Sequence, residues 1–272
     1  MSEEPTPDTV IKLGKHIVQQ PGRDGRDRLL LLLLWGMSGC GKTTLAATAP
    51  GKKLWLSFDP EATASLGSVP EGELLDIPLS DESSTILEQW RRANPNRIEE
   101  FIRTNGIETV VLDSVTTLVD MATENAVNVV KSATLDNPGM KGYQHRNAIT
   151  MQILTQIMKS CIKCSCNFIV IGHEDAPQLT DDGHISAIVP LIGGKMVNGV
   201  PLRLGEVWHM ENVKGKRRIQ IMPVRVYKPM KTRMFSTMGD SEFDWKFNQD
   251  QWTGMKISDW LTQWKESGWK KI

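Results

Sequence analysis

The chain has 272 residues, of which 40% are hydrophobic and 24% are charged. This length accommodates one α/β domain with a buried core and is short for two independent domains. Basic and acidic residues number 32 each, so the formal net charge is zero. A global field that would hold nucleic acid or an anionic membrane is thereby excluded, and any such contact has to come from local basic clusters.

Cysteine usage indicates a reducing, cytoplasmic environment, because Cys40 stands apart while Cys161, Cys164 and Cys166 are crowded together, which is no disulfide framework. The crowded set lacks the second pair that a closed zinc site needs, which favours core cysteines over a metal site. The acidic, proline-bearing start is not typical of a signal peptide. The longest apolar run, 29–35, is too short to cross a bilayer, so we expect no membrane partner.

The predicted elements alternate along the chain. Apolar runs predict four strands, at 29–35, 53–58, 109–112 and 167–171. Helical patterns predict four helices, at 42–49, 85–104, 115–125 and 147–163. This order predicts an α/β fold with right-handed crossovers and a mostly parallel central sheet flanked by helices. Three later β segments are expected to be antiparallel, at 206–212, 217–225 and 232–235.

The composition divides the chain into three predicted regions. Residues 1–27 form an N-terminal tail, 28–239 form the core, and 240–272 form a tryptophan-rich C-terminal tail. Two interpretations of this last region stay open, packing onto its own domain or docking to a partner. Its five tryptophans are Trp245, Trp252, Trp260, Trp264 and Trp269.

A phosphate-binding motif, G-x-x-x-x-G-K-T, follows the first predicted strand and opens the first predicted helix, which is the context that this motif requires. Its glycines let backbone N–H groups turn toward a β-phosphate at a helix N-terminus. We expect Lys42 to reach the β- and γ-phosphates and Thr43 to bind Mg²⁺. The sequence thus predicts ATP and Mg²⁺ as cofactors, bound through Gly36, Ser38, Gly39, Cys40, Gly41, Lys42, Thr43 and Thr44.

Asp113 directly follows the predicted strand 109–112. An acidic residue at the carboxyl end of a parallel strand faces the ligand crevice, so we expect Asp113 to hold Mg²⁺ directly or through water. The alternative is that Asp113 or Ser114 caps the helix that follows. The two roles are compatible with each other.

The segment 54–61, a hydrophobic strand followed by Asp-Pro-Glu, resembles a segment of RecA-type recombinases in which the glutamate activates the attacking water. The resemblance implies Glu61 as the general base, with Asp59 as a second candidate. The alternative is that Asp59-Pro60-Glu61 is only a turn.

Two further motifs resemble RecA-type features. His173 follows a buried strand, at the place where that family carries a glutamine that senses the γ-phosphate and relays to a DNA-binding loop; the alternative is a histidine that merely ends a strand. Lys231 and Arg233 are similar to the Lys-x-Arg pair that RecA-like ATPases insert into a neighbour's site. The alternative for this pair is a solvated strand face.

Together these motifs resemble the phage RecA-like P-loop ATPases of single-strand annealing and recombination, over about 28–235. The resemblance implies a RecA-like fold, an ATPase stimulated by single-stranded DNA, and self-association into a ring or filament. A single-strand-binding protein is a further implied partner. The implied location is the cytoplasm of a bacterial host.

The same resemblance implies two loops that face DNA, at 132–146 and 175–199. Their candidate contacts, which supply positive charge and one stacking surface, are Lys141, Tyr143, Arg146 and Lys195. A third basic patch lies at 214–218. Solvated loops are the alternative for each.

Other functions stay open from the sequence. A helicase or helicase-loading ATPase and an ATP-gated, non-catalytic binding module fit the same motifs. A small-molecule phosphotransferase is disfavoured, because we find no compact arginine-rich lid in the sequence.

Overall fold

The computed structural model describes eleven stretches of the chain, namely 11–13, 16–18, 28–59, 74–77, 92, 95–131, 134–135, 137–221, 226–236, 241–246 and 251–272. The strands are β1 (Ile11–Leu13), β2 (His16–Val18), β3 (Leu31–Gly36), β4 (Lys52–Ser57), β5 (Leu74–Ile77), β6 (Ile107–Asp113), β7 (Asn167–His173), β8 (Gln178–Leu179), β9 (Ile185–Ala187), β10 (Glu206–Val213), β11 (Lys216–Gln220), β12 (Ser241–Lys246) and β13 (Gln251–Thr253). The helices are α1 (Lys42–Ala46), α2 (Pro95–Thr104), α3 (Val115–Val129), α4 (Gly139–Lys163), α5 (Met196–Arg203) and α6 (Ile257–Glu266).

Nine strands form the central sheet, in the order β13-β12-β11-β10-β3-β7-β6-β4-β5. The six from β10 to β5 are parallel, and β11, β12 and β13 continue the sheet as an antiparallel extension. We call the edge at which β3, β4, β6 and β7 end the carboxyl edge, and the edge at which they begin the amino edge. The predicted α/β fold class, with its late antiparallel segment, is confirmed.

Strands β3, β4, β6 and β7 are buried over most of their length on both faces, which explains their largely apolar sequences. Leu32 and Leu34 of β3 pack in the hydrophobic cluster that contains residues of α1 and α6. Leu33 and Trp35 alternate with them and pack in the cluster that contains residues of α2, α3, α4 and α5. Helices thus cover both faces of the sheet, and the phosphate loop after β3 emerges from its centre.

The last helix, α6, packs onto the core through Trp260 and Trp264, which are 4% and 3% exposed. The Trp260 ring meets the Trp208 ring edge-on at a centroid distance of 5.5 Å. At the start of this helix, the Ile257 N–H donates to the Thr48 hydroxyl over 3.0 Å. These two tryptophans therefore pack on their own domain, while the domain boundaries remain a prediction.

Two predicted elements differ from the structure. Helix α4 begins at Gly139 rather than 147, so the second half of the expected loop 132–146 is helical. The predicted strand at 232–235 is wrong, because Lys231 alone bridges to Val207 and the following residues form bends. Of the predicted helix 85–104, residues 85–94 lie outside the described residues except for residue 92, and α2 covers the rest. In the ranges given above, no helix is long and apolar enough to span a membrane.

Candidate phosphate and metal site

The phosphate loop depends on glycine at three positions. Gly36, at the end of β3, has φ +155°, and a Cβ there would lie 2.1 Å from the carbonyl oxygen of Met210 in the neighbouring strand β10. Gly39 and Gly41 have φ +73° and +95°, in the left-handed region that favours glycine. The loop can therefore turn at the carboxyl edge with its backbone close to β10, and a residue with a side chain would obstruct it.

Lys42 lies folded into its own loop. Its Nζ donates to the carbonyl oxygens of Gly36 and Met37, over 2.9 and 2.7 Å, and lies 3.8 Å from the Cys40 Sγ. Burial lowers the pKa of Lys42, while the nearby Cys40 and Asp113 raise it. The ammonium group is thus poorly hydrated and held inside the loop, where phosphate oxygens are stronger partners than neutral carbonyls.

Thr43 and Asp113 meet at the carboxyl edge, although 70 residues separate them in sequence. The Thr43 hydroxyl donates to the Asp113 Oδ2 over 3.0 Å. Burial raises the pKa of Asp113 from 3.8 to about 6, with Asp59 adding to the rise and Thr43 opposing it. A hydroxyl and a carboxylate at this distance are oxygen ligands of the kind that Mg²⁺ takes, so the pair fits the predicted metal role.

The helix-capping role belongs to Ser114. Its hydroxyl accepts the Thr117 N–H over 3.2 Å at the start of α3. The Asp113 carboxylate is therefore not needed as the cap, and it stays directed toward Thr43.

Of the two candidate general bases, Asp59 is described and Glu61 lies outside the described residues. The Asp59 N–H donates to the Asp113 carbonyl over 3.2 Å. Its charge contributes to raising the pKa values of both Asp113 and His173. Asp59 therefore stands among the groups of the phosphate site, and the role of Glu61 remains a prediction.

His173 ends β7 at the same edge. Its N–H donates to the Thr116 hydroxyl over 3.0 Å, and its carbonyl accepts the Leu191 N–H over 2.8 Å. Burial, and then the nearby Lys42, lower the pKa of His173. His173 thus lies between the phosphate loop and the segment that follows β7, and its role as a γ-phosphate sensor remains a prediction.

The candidate DNA contacts divide between two neighbouring elements. Lys141, Tyr143 and Arg146 lie on α4, so the expected loop conformation is wrong for them, and Lys195 directly precedes α5. The Arg146 guanidinium lies 4.9 Å from the Tyr143 ring centroid, donates to Asn147 Oδ1 and lies beside Gly193. The two segments are therefore adjacent, and Arg146 is partly buried between them.

Lys231 and Arg233 lie at the opposite, amino edge. Backbone bonds of 2.7 and 3.1 Å join Lys231 to Val207, the second residue of β10. Arg233 is exposed and, with Arg28 and Lys163, lines an open cavity of about 1030 Å³. Because β3 and β10 are parallel, this edge is opposite to the one that carries the chain's own phosphate loop. The pair therefore lies away from that loop, and its role at a neighbour's site remains a prediction.

The sequence analysis missed a buried polar network behind the phosphate loop. His209 of β10 is 1% exposed; its Nε2 lies 2.7 Å from the Glu174 Oε2 and its Nδ1 lies 3.2 Å from the Gln220 Oε1. The Glu174 N–H donates to the Gly36 carbonyl over 3.1 Å, the same oxygen that accepts from Lys42. The network links the phosphate loop to the antiparallel extension, and a lone histidine within a hydrophobic strand was its sequence signal.

A sequence model of an AAA domain family (AAA_24) matches residues 30–233, most of the chain. The chain belongs to this family. Two solved structures align with the AAA domain at low identity. A KaiC-like protein from the hyperthermophilic archaeon Pyrococcus horikoshii is 15% identical, with a TM-score of 0.42, over 82% of this chain and 88% of that one. The RadB recombinase is 13% identical, with a TM-score of 0.41, over 80% and 88%. No curated protein matches the sequence at a significant level.

By family this chain is an AAA domain, and its fold is a mostly parallel sheet with a phosphate loop at the carboxyl edge. In the part of the chain that the structure describes, no cluster of three or more His, Cys, Asp or Glu side chains is arranged for a metal ion. Metal binding at Thr43 and Asp113 would therefore draw on phosphate oxygens and water for its remaining ligands, as Mg²⁺ commonly does.

Proposed function

We propose that this AAA domain hydrolyses ATP to control its grip on single-stranded DNA, and that it promotes strand annealing or recombination. In this proposal it assembles into a ring or filament, works with a single-strand-binding protein, and is a phage protein acting in the cytoplasm of a bacterial host. The observation that carries the proposal is the position of His173, between Lys42 and the segments around Arg146 and Lys195.

The proposed chemistry assigns each group a separate task. The backbone amides of the loop 36–43 and the Lys42 ammonium hold the phosphates and neutralise charge that develops in the transition state. Thr43 and Asp113 would hold Mg²⁺, which would supply positive charge against the phosphate oxygens. Glu61, or Asp59 in its place, accepts a proton from the attacking water.

The proposed switch runs through the end of β7. A γ-phosphate near Lys42 offers the His173 side chain a hydrogen-bond acceptor, and a shift of this residue is passed on directly. Its carbonyl holds Leu191, and the Asp175 N–H donates to the Val189 carbonyl over 2.9 Å. The segment between β7 and α5 is therefore bonded to His173 and, two residues further along the chain, to Asp175. The same segment carries Gly193 and Lys195 next to Arg146.

The test is ATP hydrolysis with and without a single-stranded oligonucleotide, at about 50 and 200 mM salt. We expect stimulation by the oligonucleotide that weakens at the higher salt, because phosphate contacts release counterions. Annealing of complementary strands should depend on ATP. The absence of both stimulation and DNA binding at low salt would contradict the proposal.

The alternatives give different outcomes in the same experiment. A helicase or helicase loader would separate a tailed duplex as it hydrolyses ATP, whereas the proposed protein would anneal strands without unwinding. A non-catalytic binding module would bind nucleotide without turnover, and Glu61→Gln would then change nothing. In the proposed enzyme, Glu61→Gln keeps nucleotide binding and loses turnover.

A further inference from the structure

Glu206 is a buried carboxylate with an unusual number of partners. It is the first residue of β10 and is 2% exposed. Its Oε1 accepts the backbone N–H groups of Arg233 and Met234, over 2.6 and 3.1 Å. Its Oε2 accepts the Thr232 hydroxyl over 2.6 Å and the Trp208 indole N–H over 2.9 Å. Both oxygens are therefore saturated by neutral donors of the same chain.

Three of these four donors belong to the segment 232–234, which carries Arg233. The Thr232 hydroxyl in turn accepts the N–H groups of Met234 and Phe235, over 3.1 and 3.2 Å. Since these N–H groups are bound to Glu206 and Thr232, they do not join a β ladder, which explains why the predicted strand does not form. The shape of the segment is thus imposed by one carboxylate and one hydroxyl.

A buried carboxylate is costly to keep, since its desolvation has to be offset by hydrogen bonds. Burial raises the pKa of Glu206, and the bonds from Thr232, Arg233 and Trp208 oppose that rise. An amide or an apolar residue would fill the same volume without that cost. The carboxylate provides what they lack, four acceptor positions that hold the backbone on each side of Arg233 in one conformation.

We propose that Glu206 is a positioning residue that holds Arg233 in place to reach the phosphates bound by a neighbouring copy. This inference rests on the proposed function, because it requires self-association, and it takes from the sequence the prediction that Arg233 acts at a neighbour's site. It adds a residue that does not touch the nucleotide itself. Lys231 is held separately, by its backbone bonds to Val207 and by a 3.3 Å bond from its Nζ to the Pro201 carbonyl.

The test compares ATP hydrolysis by Glu206→Gln, Arg233→Ala and Lys42→Ala, alone and as 1:1 mixtures. Glutamine keeps one acceptor oxygen but turns an NH₂ group toward donors. We therefore expect about 10-fold slower hydrolysis at an unchanged nucleotide affinity. Arg233→Ala should be slower still. Glu100→Gln, an exposed substitution on α2, is the matched control and should behave as the unmodified protein.

Mixing separates positioning from a merely structural role. Lys42→Ala cannot hydrolyse ATP but supplies an intact Arg233, so adding it should raise the rate per Glu206→Gln protomer about fivefold, since half of the neighbours then carry a properly held arginine. A mixture of Glu206→Gln with Arg233→Ala should show no rescue. Loss of activity that Lys42→Ala does not restore would overturn the inference.

The remaining outcomes are distinguishable. Full activity of Glu206→Gln beside an impaired Arg233→Ala overturns this inference and leaves the trans role intact. Full activity of Arg233→Ala overturns the trans role itself. Where Glu206→Gln fails to fold, judged by thermal unfolding, Thr232→Val replaces it and should be impaired and rescued in the same way, while Thr232→Ser should retain activity.

Discussion

The two edges of the parallel sheet differ in how complete they are within one chain. At the carboxyl edge, Lys42, Thr43, Asp113 and His173 lie in mutual electrostatic or hydrogen-bonding contact. At the amino edge, Arg233 lies exposed beside an open cavity, and both oxygens of the nearby Glu206 accept from backbone and side-chain donors of the same chain. The carboxyl edge gathers the groups of the phosphate site within one chain, whereas the amino edge leaves a positive charge exposed.

The difference teaches that burial and exposure identify different tasks for similar residues. Lys42 is 5% exposed and its pKa is lowered, so its charge is tied to one place and one ligand. Arg233 keeps an exposed head on a backbone that is held at several points. A fixed backbone with a solvated cation suits a contact that forms only when two copies meet.

The largest expected effect is at the carboxyl edge. Lys42→Ala should slow ATP hydrolysis on the order of 10³-fold, because it removes the cation that the proposed mechanism assigns to the phosphates. Lys271→Ala, an exposed lysine near the end of the chain, is the control and should hydrolyse normally. Retained turnover in Lys42→Ala would place the active site elsewhere in the molecule.

A side chain at Gly36, which lies close to β10, should lower the free energy of unfolding. Gly36→Ala puts a Cβ 2.1 Å from the Met210 carbonyl oxygen, so β3 and β10 have to separate. We expect a loss of about 3 kcal/mol in the free energy of unfolding, measured in urea. Gly183→Ala, with φ +81° and nothing within 4 Å of its added Cβ, should lose only about 1 kcal/mol. Equal losses would show that backbone strain alone is responsible.

In the absence of nucleotide and Mg²⁺, Asp113→Asn should raise the free energy of unfolding. The folded pKa of Asp113 is raised from 3.8 to about 6, so its ionisation is unfavourable in the fold. The penalty is absent below pH 3.8 and complete above about pH 6, which corresponds to at most about 3 kcal/mol.

We therefore expect Asp113→Asn to raise the unfolding free energy by about 1–2 kcal/mol at pH 7.5 and by less at pH 5. Thermal unfolding at the two pH values measures this difference. Adding Mg²⁺ and ATP should reverse the order, since Asn lacks the charge that holds the metal. A variant stabilised equally at both pH values would contradict the raised pKa.

What the sequence predicts well here is local. The strands β3, β6 and β7 each contain an apolar run, and the phosphate loop requires glycines at fixed positions. Both features can therefore be predicted from the sequence. Asp113 was found because a strand that ends in an acidic residue is a local pattern. Its partner Thr43 is predicted from the phosphate-binding motif, G-x-x-x-x-G-K-T. The strand order brings the two residues together.

What it predicts poorly depends on distant partners. The start of α4, with Gly139 and Gly142, has no apolar periodicity, and its helix is fixed by contacts such as His145 with Asn125 across to α3. The segment 232–235 has β-like residues, but Glu206, 26 to 28 positions earlier, takes its N–H groups. A local sequence pattern cannot predict that a carboxylate will bind the backbone of a segment 26 to 28 residues away.

The smallest expected effect tests the link between the carboxyl edge and the candidate DNA segments. The lowered pKa of His173 keeps its imidazole neutral at pH 7, so His173→Gln replaces one neutral hydrogen-bonding group by another. DNA-stimulated hydrolysis should then stay within about twofold, whereas His173→Ala should lose about fivefold, the value of one hydrogen bond.

The two variants also differ in how hydrolysis responds to acid. Below its lowered pKa, His173 of the unmodified protein is protonated, so the DNA stimulation should change as the pH falls through that pKa, while that of His173→Gln should not change through this group. His16→Gln, on β2 and outside the candidate DNA segments, is the matched control and should keep the original pH profile. An identical profile in His173→Gln and the unmodified protein would mean that the stimulation does not pass through His173. The contacts between His173 and the candidate DNA segments would then serve the fold alone.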